Sequence, residues 1–79
     1  MAGLVTLNAV PVGSSALVTK ISAAGMTRRR LLDLGLVPGT RVEVVRRSLL
    51  GDPVAYNIRG ALVALRKEQS SQVVVSNGE

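Results

Sequence analysis

The sequence predicts a small, mainly β domain with one short α-helix. Short stretches in which apolar and polar residues alternate, separated by glycine and proline, are typical of strands joined by turns. The leucines that follow residue 30 have helical spacing instead. Hydrophobic residues make up 47% of the 79 residues, but Tyr56 is the single aromatic residue. We therefore expect one core built from valine, leucine, isoleucine and alanine.

Five strands are predicted from the period of two and the β-branched residues, at 15–22, 41–48, 54–59, 61–66 and 73–75. Single helical turns are expected at 6–10 and 67–72, and Gly60 is expected to allow a bend or bulge. So small a sheet would expose unpaired edges unless it closed on itself. We therefore predict a small closed β-barrel, SH3-like as the first choice and OB-type as the second.

Alternation along the first two long strands predicts which side chains share a face. In the strand 15–22, one face is predicted to carry Leu17, Thr19 and Ile21, and the other Ala16, Val18 and Lys20. In the strand 41–48, the side chains predicted to face inward are Val42 and Val44. The opposite face is predicted to carry Arg41, Glu43, Val45 and Arg47.

The helix is predicted to begin at Thr27 as its N-cap and to run to about Leu34, with Gly35 as its left-handed stop. One apolar arc is expected to consist of Leu31, Leu32 and Leu34. The residues expected opposite that arc are Arg29, Arg30 and Asp33, while Arg28 lies beside the leucines. Asp33 follows Arg29 by one turn and is expected to pair with it.

We assign a further set of residues to turns and not to binding: Gly35, Pro38, Gly39, Gly51, Asp52 and Pro53. Pro38 and Gly39 have the order that a type II turn prefers. Asp52 can bond backbone amides, and Pro53 pre-sets φ in the loop between two strands. We expect a single domain over 1–79, with its core at about 6–75 and a frayed tail at 76–79.

Composition argues against catalysis and metal binding. The chain has no Cys and no His, which excludes disulfides, thiolate chemistry and imidazole ligands. Its five acidic residues are scattered, and its serines have no neighbouring base to activate them. A surplus of positive charge, +5 in all, would also repel a cation. We therefore predict no enzyme activity, no bound metal and no cofactor.

The same surplus of positive charge favours an acidic partner, although it can serve solubility alone. Nucleic acid is not expected, because a small barrel binds single strands by stacking bases on aromatic side chains and this chain has one. Membrane insertion is not expected either, since no apolar stretch approaches about 20 residues. The uncharged first nineteen residues lack the features of a signal peptide, so we expect a soluble cytoplasmic protein.

Two groups of residues are candidates for binding a partner. Arg28, Arg29 and Arg30 follow the predicted helix start, where the helix dipole would favour a bound anion. The alternative is a solvated basic face that Asp33 partly neutralises. The second group is Leu49 and Leu50 at a loop tip, with Val45 beside them. The alternative there is that one leucine plugs the end of the barrel.

Three motifs in a fixed order carry a family resemblance: LLDLGLVPG at 31–39, LLGDP at 49–53 and RGALVALRKEQ at 59–69. Their order and spacing resemble the FeoA family, or the same domain at the end of iron-dependent repressors of the diphtheria-toxin-repressor type. The resemblance extends from about Thr6 to Val75. It implies an SH3-like barrel in the cytoplasm that assists FeoB, the membrane GTPase and ferrous iron permease.

Two functions of different classes follow from this resemblance. The first is an accessory or regulatory protein that contacts the cytoplasmic part of FeoB. The second is a docking or sensing domain of a metal-dependent transcription regulator. Because the chain begins at Met1 and carries no helix-turn-helix, we expect the first. A non-specific nucleic-acid-binding barrel is a third reading, and exposed aliphatic residues leave self-association open.

Overall fold

The computed structural model of this chain describes residues 3–76. It contains one antiparallel sheet of six strands: β1 (Leu4–Thr6), β2 (Ser15–Ile21), β3 (Arg41–Arg47), β4 (Val54–Ile58), β5 (Ala61–Leu65) and β6 (Val73–Ser76). Outside the sheet are the helices α1 (Gly25–Asp33) and α2 (Lys67–Ser70) and a 3-10 turn at Leu7–Ala9. The predicted mainly β fold with one short α-helix is confirmed, and α2 lies where a single helical turn was predicted.

The prediction that the sheet closes is wrong. The strand order is β1-β6-β2-β3-β4-β5, so β1 and β5 are two separate edges. The first of these strands was not predicted, because three residues are too few to show a period. It pairs Leu4 with Ser76, which places Ser76 in a strand rather than in the predicted tail. The rest of that tail, residues 77–79, lies outside the described residues.

A β-bulge in β3 reverses which face of the sheet the following side chains occupy, relative to the prediction. The register against β4 shifts between Val44 and Arg46, so Val45 is an extra residue in its strand. Beyond the bulge Arg47 pairs with the buried Val54, and residues opposite each other share a face of the sheet. The prediction that Arg47 lies on the same face as Arg41 is therefore wrong.

A second bulge has the same effect in β2. The register against β6 shifts between Val18 and Lys20, and the bulged Thr19 donates from Oγ1 to the carbonyl of Val74 at 2.9 Å. Ile21 then pairs with the buried Val73 and packs against the core. The predicted grouping of Ile21 with Leu17, and of Lys20 with Val18, is therefore wrong.

One hydrophobic cluster fills the concave side of the sheet. Strands β2 to β6 all contribute buried side chains to it, and Val5 of β1 packs against it. Segments between the strands supply three fully buried leucines, Leu7, Leu31 and Leu36. Tyr56 is buried at the centre of β4, and this burial raises the pKa of its phenol, which the neighbouring Ser70 hydroxyl and the charge of Arg47 partly oppose. The aliphatic core predicted from composition is confirmed.

α1 has a capping motif at its C-terminal end but no side-chain cap at its start. The helix begins at Gly25 after Ala24, which has no side-chain cap, so the prediction of Thr27 as N-cap is wrong. At the other end the N–H of Leu36 donates to the carbonyl of Leu31, and that of Gly35 to Leu32. This pair of bonds is a Schellman motif, with the buried leucines in contact across it. The predicted stop at Gly35 is confirmed.

We predict that Gly35→Ala destabilises the fold more than Gly39→Ala. Both glycines have positive φ, 102° and 92°, so alanine is strained by about 1–3 kcal/mol at either position. A Cβ on Gly35 would also meet Cγ2 of the buried Ile58 at 3.0 Å, whereas one on Gly39 meets nothing within 4 Å. Urea unfolding of the two variants measures the difference. Equal losses would show that Ile58 gives way and that the close approach is unimportant.

Candidate partner-binding surface

The loop between β3 and β4 has two leucines at its tip, and no other residue that the structure describes covers them. The N–H of Gly51 donates to the carbonyl of Ser48 at 2.9 Å, which closes a turn with Leu49 and Leu50 at its centre. Side chains at the centre of such a turn point away from the chain. Leu49 is 105% exposed and Leu50 is 95% exposed. The alternative in which one leucine plugs the barrel end is therefore wrong. We call these two residues the leucine tip.

The base of this loop is held to the rest of the fold. The N–H of Ser48 donates to the carbonyl of Pro53 at 3.2 Å, and Asp52 Oδ1 accepts from the N–H of Lys67 at 2.8 Å. Arg66 Nη1 lies 3.8 Å from Asp52 Oδ2. The predicted bonding of Asp52 to a backbone amide is confirmed, but the amide belongs to α2 and not to the turn of Asp52 itself. The leucine tip thus stands on an anchored loop.

Basic residues lead up to the leucine tip. Val45, the residue at the β3 bulge, is 39% exposed. Arg46 and Arg47 follow it and are exposed. An apolar tip on a positively charged hairpin is the arrangement that suits an acidic protein surface with an apolar pocket.

The three arginines of α1 do not lie where the sequence placed them. Because the helix begins at Gly25, Arg28 is its fourth residue and Arg30 belongs to its last turn. A positive charge in the last turn interacts favourably with the helix dipole, so Arg30 does not belong to the predicted anion site at the helix start. All three arginines are exposed. Among residues 3–76, no ion pair joins Arg29 to Asp33, contrary to the prediction.

A groove of about 930 Å³ runs between α1 and the segment formed by β5 and α2. Arg29 and Arg30 line it on the helix side, whereas Arg28 does not. Ala64 and Arg66 line the other side. The leucine tip and Val45 are not part of this groove. Of the two predicted groups, only the arginines contribute to this groove.

The described residues can also be considered as a metal site, a membrane span and a stacking surface. Within residues 3–76, no three Asp or Glu side chains gather closely enough to hold a metal ion. None of the helices in that part of the chain is both long and apolar enough to cross a membrane. The ring of Tyr56 is buried, so it is not available as a stacking surface.

An antiparallel sheet of six strands around one aliphatic core, with a single longer helix between β2 and β3, defines a small SH3-like domain. Comparison with known families then identifies which one. The FeoA domain family matches residues 5–77, and the chain belongs to this family. The resemblance seen in the sequence is therefore confirmed.

Individual relatives agree with this assignment. A Porphyromonas gingivalis protein named as a fusion of Fe(2+) transport protein A and the Fe(2+) transporter FeoB is 33% identical over 69 residues. The match covers 87% of this chain and 8% of that protein. The FeoA protein of Chlorobium tepidum, solved by NMR, is 36% identical with a TM-score of 0.85, over 94% of this chain and 70% of that one.

Crystal structures extend the comparison. Stenotrophomonas maltophilia FeoA, solved in complex with zinc and described as a prokaryotic SH3 domain protein, is 31% identical with a TM-score of 0.79. This match covers 89% of this chain and 87% of that one. A manganese-dependent transcriptional repressor has the same fold, with a TM-score of 0.85 over 99% of this chain and 44% of its own. Its identity of 22% shows the fold alone.

We predict that Asp52→Ala destabilises the protein by about 1 kcal/mol, because the N–H of Lys67 at the start of α2 loses its acceptor. Asp52→Asn keeps an oxygen at that position and loses only the charge opposite Arg66, which is exposed and adds little. Urea unfolding should therefore show a smaller loss for Asp52→Asn than for Asp52→Ala. If the two variants lose the same amount, the bond to Lys67 does not hold the loop.

Proposed function

We propose that this chain is a non-enzymatic accessory protein of bacterial ferrous iron uptake. It acts in the cytoplasm by contact with the cytoplasmic part of a FeoB-type transporter. The observation that carries the proposal is the leucine tip, two fully exposed leucines on an anchored loop. Contact is the activity that these residues can supply without a cofactor.

The energetics of the tip support a role in binding. Burying a leucine side chain is worth about 1.5–3 kcal/mol relative to leaving it in water. Burial of these two exposed leucines against a partner would therefore contribute several kcal/mol to the free energy of binding. Because the loop base is fixed through Asp52, little backbone freedom is lost on binding.

The fusion protein of Porphyromonas gingivalis supports the choice of partner. In that protein a domain 33% identical to this chain is covalently joined to an Fe(2+) transporter. Fusion holds two modules at high effective concentration, which is useful when the modules contact each other. This chain spans only 8% of the length of that relative, so it corresponds to the part named for transport protein A.

The charge distribution suggests which surface of the transporter receives the tip. The chain has a net charge of +5, and Arg46 and Arg47 stand next to the tip. We therefore infer a contact in which an apolar pocket on the transporter is bordered by acidic residues. Charge complementarity of this kind raises the rate of association more than the final affinity.

The other readings have less support. A docking domain in a transcription regulator rests on the fold shared with the manganese-dependent repressor at 22% identity. Single-stranded nucleic acid would need an exposed aromatic ring, and the only aromatic residue of the sequence, Tyr56, is buried in the core. We infer that neither is the main role of this chain.

We predict that Leu49→Asp and Leu50→Asp each weaken binding to the purified cytoplasmic part of the transporter by at least about tenfold, or about 1.4 kcal/mol. A charge in an apolar pocket lacks a partner there, and this desolvation weakens the complex. Isothermal titration calorimetry measures the change. Leu4→Asp is the matched control, since Leu4 is 66% exposed and lies on β1, separated from β3 by β6 and β2.

All three variants should unfold like the unaltered protein, because the replaced side chains are exposed. Normal binding by both tip variants would remove the leucine tip from the contact. The three arginines of α1 are tested in the same titration by replacing Arg28, Arg29 and Arg30 together with glutamine. An unchanged salt dependence of binding would exclude them from the contact.

A further inference from the structure

β5 is an edge strand whose outer side carries unpaired backbone groups. It is joined to β4 by a two-residue turn, Arg59 and Gly60, with φ of 54° and 85°. Two positive φ values are typical of a type I′ hairpin, in which the flanking pair Ile58 and Ala61 is hydrogen-bonded. Bonded and non-bonded pairs then alternate along an antiparallel ladder. The N–H and C=O groups of Leu62 and Ala64 therefore point away from β4.

No other described segment takes up these groups. Within residues 3–76, β5 pairs with β4 alone, and no hydrogen bond joins the backbone of Leu62 or Ala64 to another element. Leu62 is 60% exposed. Val63 points to the core side but is only partly buried, and Ala61 on the same side is exposed. The strand thus offers apolar side chains on both faces around a free backbone edge.

Natural edge strands are usually protected by charged residues or proline within the strand. The five residues of β5 are all aliphatic, and its charges stand at its two ends. Arg59 precedes the strand, and Arg66 and Lys67 follow it. Arg29 and Arg30 of α1 add positive charge across the groove. The negative charges nearby are Asp33, Glu68 and Asp52, the last at 3.8 Å from Arg66. An occupant of this edge therefore meets an excess of positive charge.

That charge arrangement disfavours a second copy of this chain. Two β5 strands paired antiparallel about Val63 would bring Arg59 of one copy close to Arg66 and Lys67 of the other, at both ends of the new ladder. Like charges in such positions oppose pairing. Acidic groups at both ends of an added strand would instead be attracted.

We propose that β5 binds an extended segment of a partner protein by strand addition, and that this segment is apolar in its middle and acidic at both ends. Leu62 and Ala64 supply the backbone bonds, and Val63 and Leu62 supply apolar contacts. The five residues of β5 lie between the turn of Arg59 and Arg66, and five extended residues span about 17 Å at about 3.3 Å per residue. The acidic groups of the segment therefore flank an apolar stretch of about five residues. The inference rests on the proposed function only in taking the partner to be a protein.

A synthetic peptide tests this without the transporter. The probe has five alternating valine and threonine residues with two glutamates at each end, and it is titrated into the full chain labelled with ¹⁵N. We expect the amide signals of Leu62 and Ala64 to shift, and a peptide with lysine in place of glutamate to bind at least about tenfold more weakly. Shifts confined to α1 or to the leucine tip, or equal binding of both peptides, would overturn the proposal.

A variant of the strand itself provides the second test. Ala64→Pro removes an outward N–H at an edge position that tolerates proline, whereas Ala64→Thr keeps it. We expect binding of the glutamate peptide to fall at least about tenfold for Ala64→Pro and to stay within about twofold for Ala64→Thr. Dimerisation of the unaltered chain that Ala64→Pro abolishes would instead assign the edge to a second copy and overturn the proposal.

If Ala64→Pro does not fold, modified peptides answer the question with the unaltered protein. Methylation of alternate backbone nitrogens blocks one side of an added strand and leaves the other side free. One of the two alternately methylated glutamate peptides should bind and the other should not, and equal binding would exclude strand addition. Because these measurements contain no transporter, a failure of the leucine-tip prediction does not affect them, and their failure does not affect that prediction.

Discussion

The structure depends on one constraint: a single antiparallel sheet must bury its own inner face, because residues 3–76 form no second layer of similar size to cover it. With Tyr56 as the one aromatic residue, the buried volume has to come from aliphatic side chains on strands that curve toward each other. Bulges at Thr19 and Val45 increase the local bend and twist of their strands. Buried leucines from the connecting segments fill the space that the open sheet leaves, and the Schellman motif at Gly35 fixes two of them, Leu31 and Leu36.

This way of forming a core determines what is left on the surface. The buried apolar side chains form one core. The sheet around that core does not close, and β1 and β5 are its two edges. The exposed apolar groups include the leucine tip on the β3–β4 loop and the aliphatic edge of β5, each bordered by arginine. Both surfaces suit contact with another protein.

Local patterns in the sequence predicted the features that depend on neighbouring residues, namely the strand bounds and the turns. All five predicted strands begin at the observed residue and end within one residue of the observed end. Gly35, Gly39 and Asp52 have their expected roles because turn geometry needs those residue types. The bulges could not be predicted, since the register between two distant strands is set by packing, and each bulge exchanged the faces of the residues after it. The start of α1 at Gly25 could not be predicted either, because no capping side chain marks it. Exposure of Leu49 and Leu50 was one of two readings of these residues, whereas the free edge of β5 follows only from the observed strand order.

An open edge at β5 requires a specific pattern of amide exchange along that strand. The N–H groups of Ala61, Val63 and Leu65 face β4, whereas those of Leu62 and Ala64 face outward. Hydrogen–deuterium exchange followed by NMR on the isolated chain should show Val63 exchanging at least about a hundredfold more slowly than Leu62 and Ala64. Protection of Leu62 and Ala64 equal to that of Val63 would show that the edge is covered, and would contradict the open sheet on which this description of the protein depends.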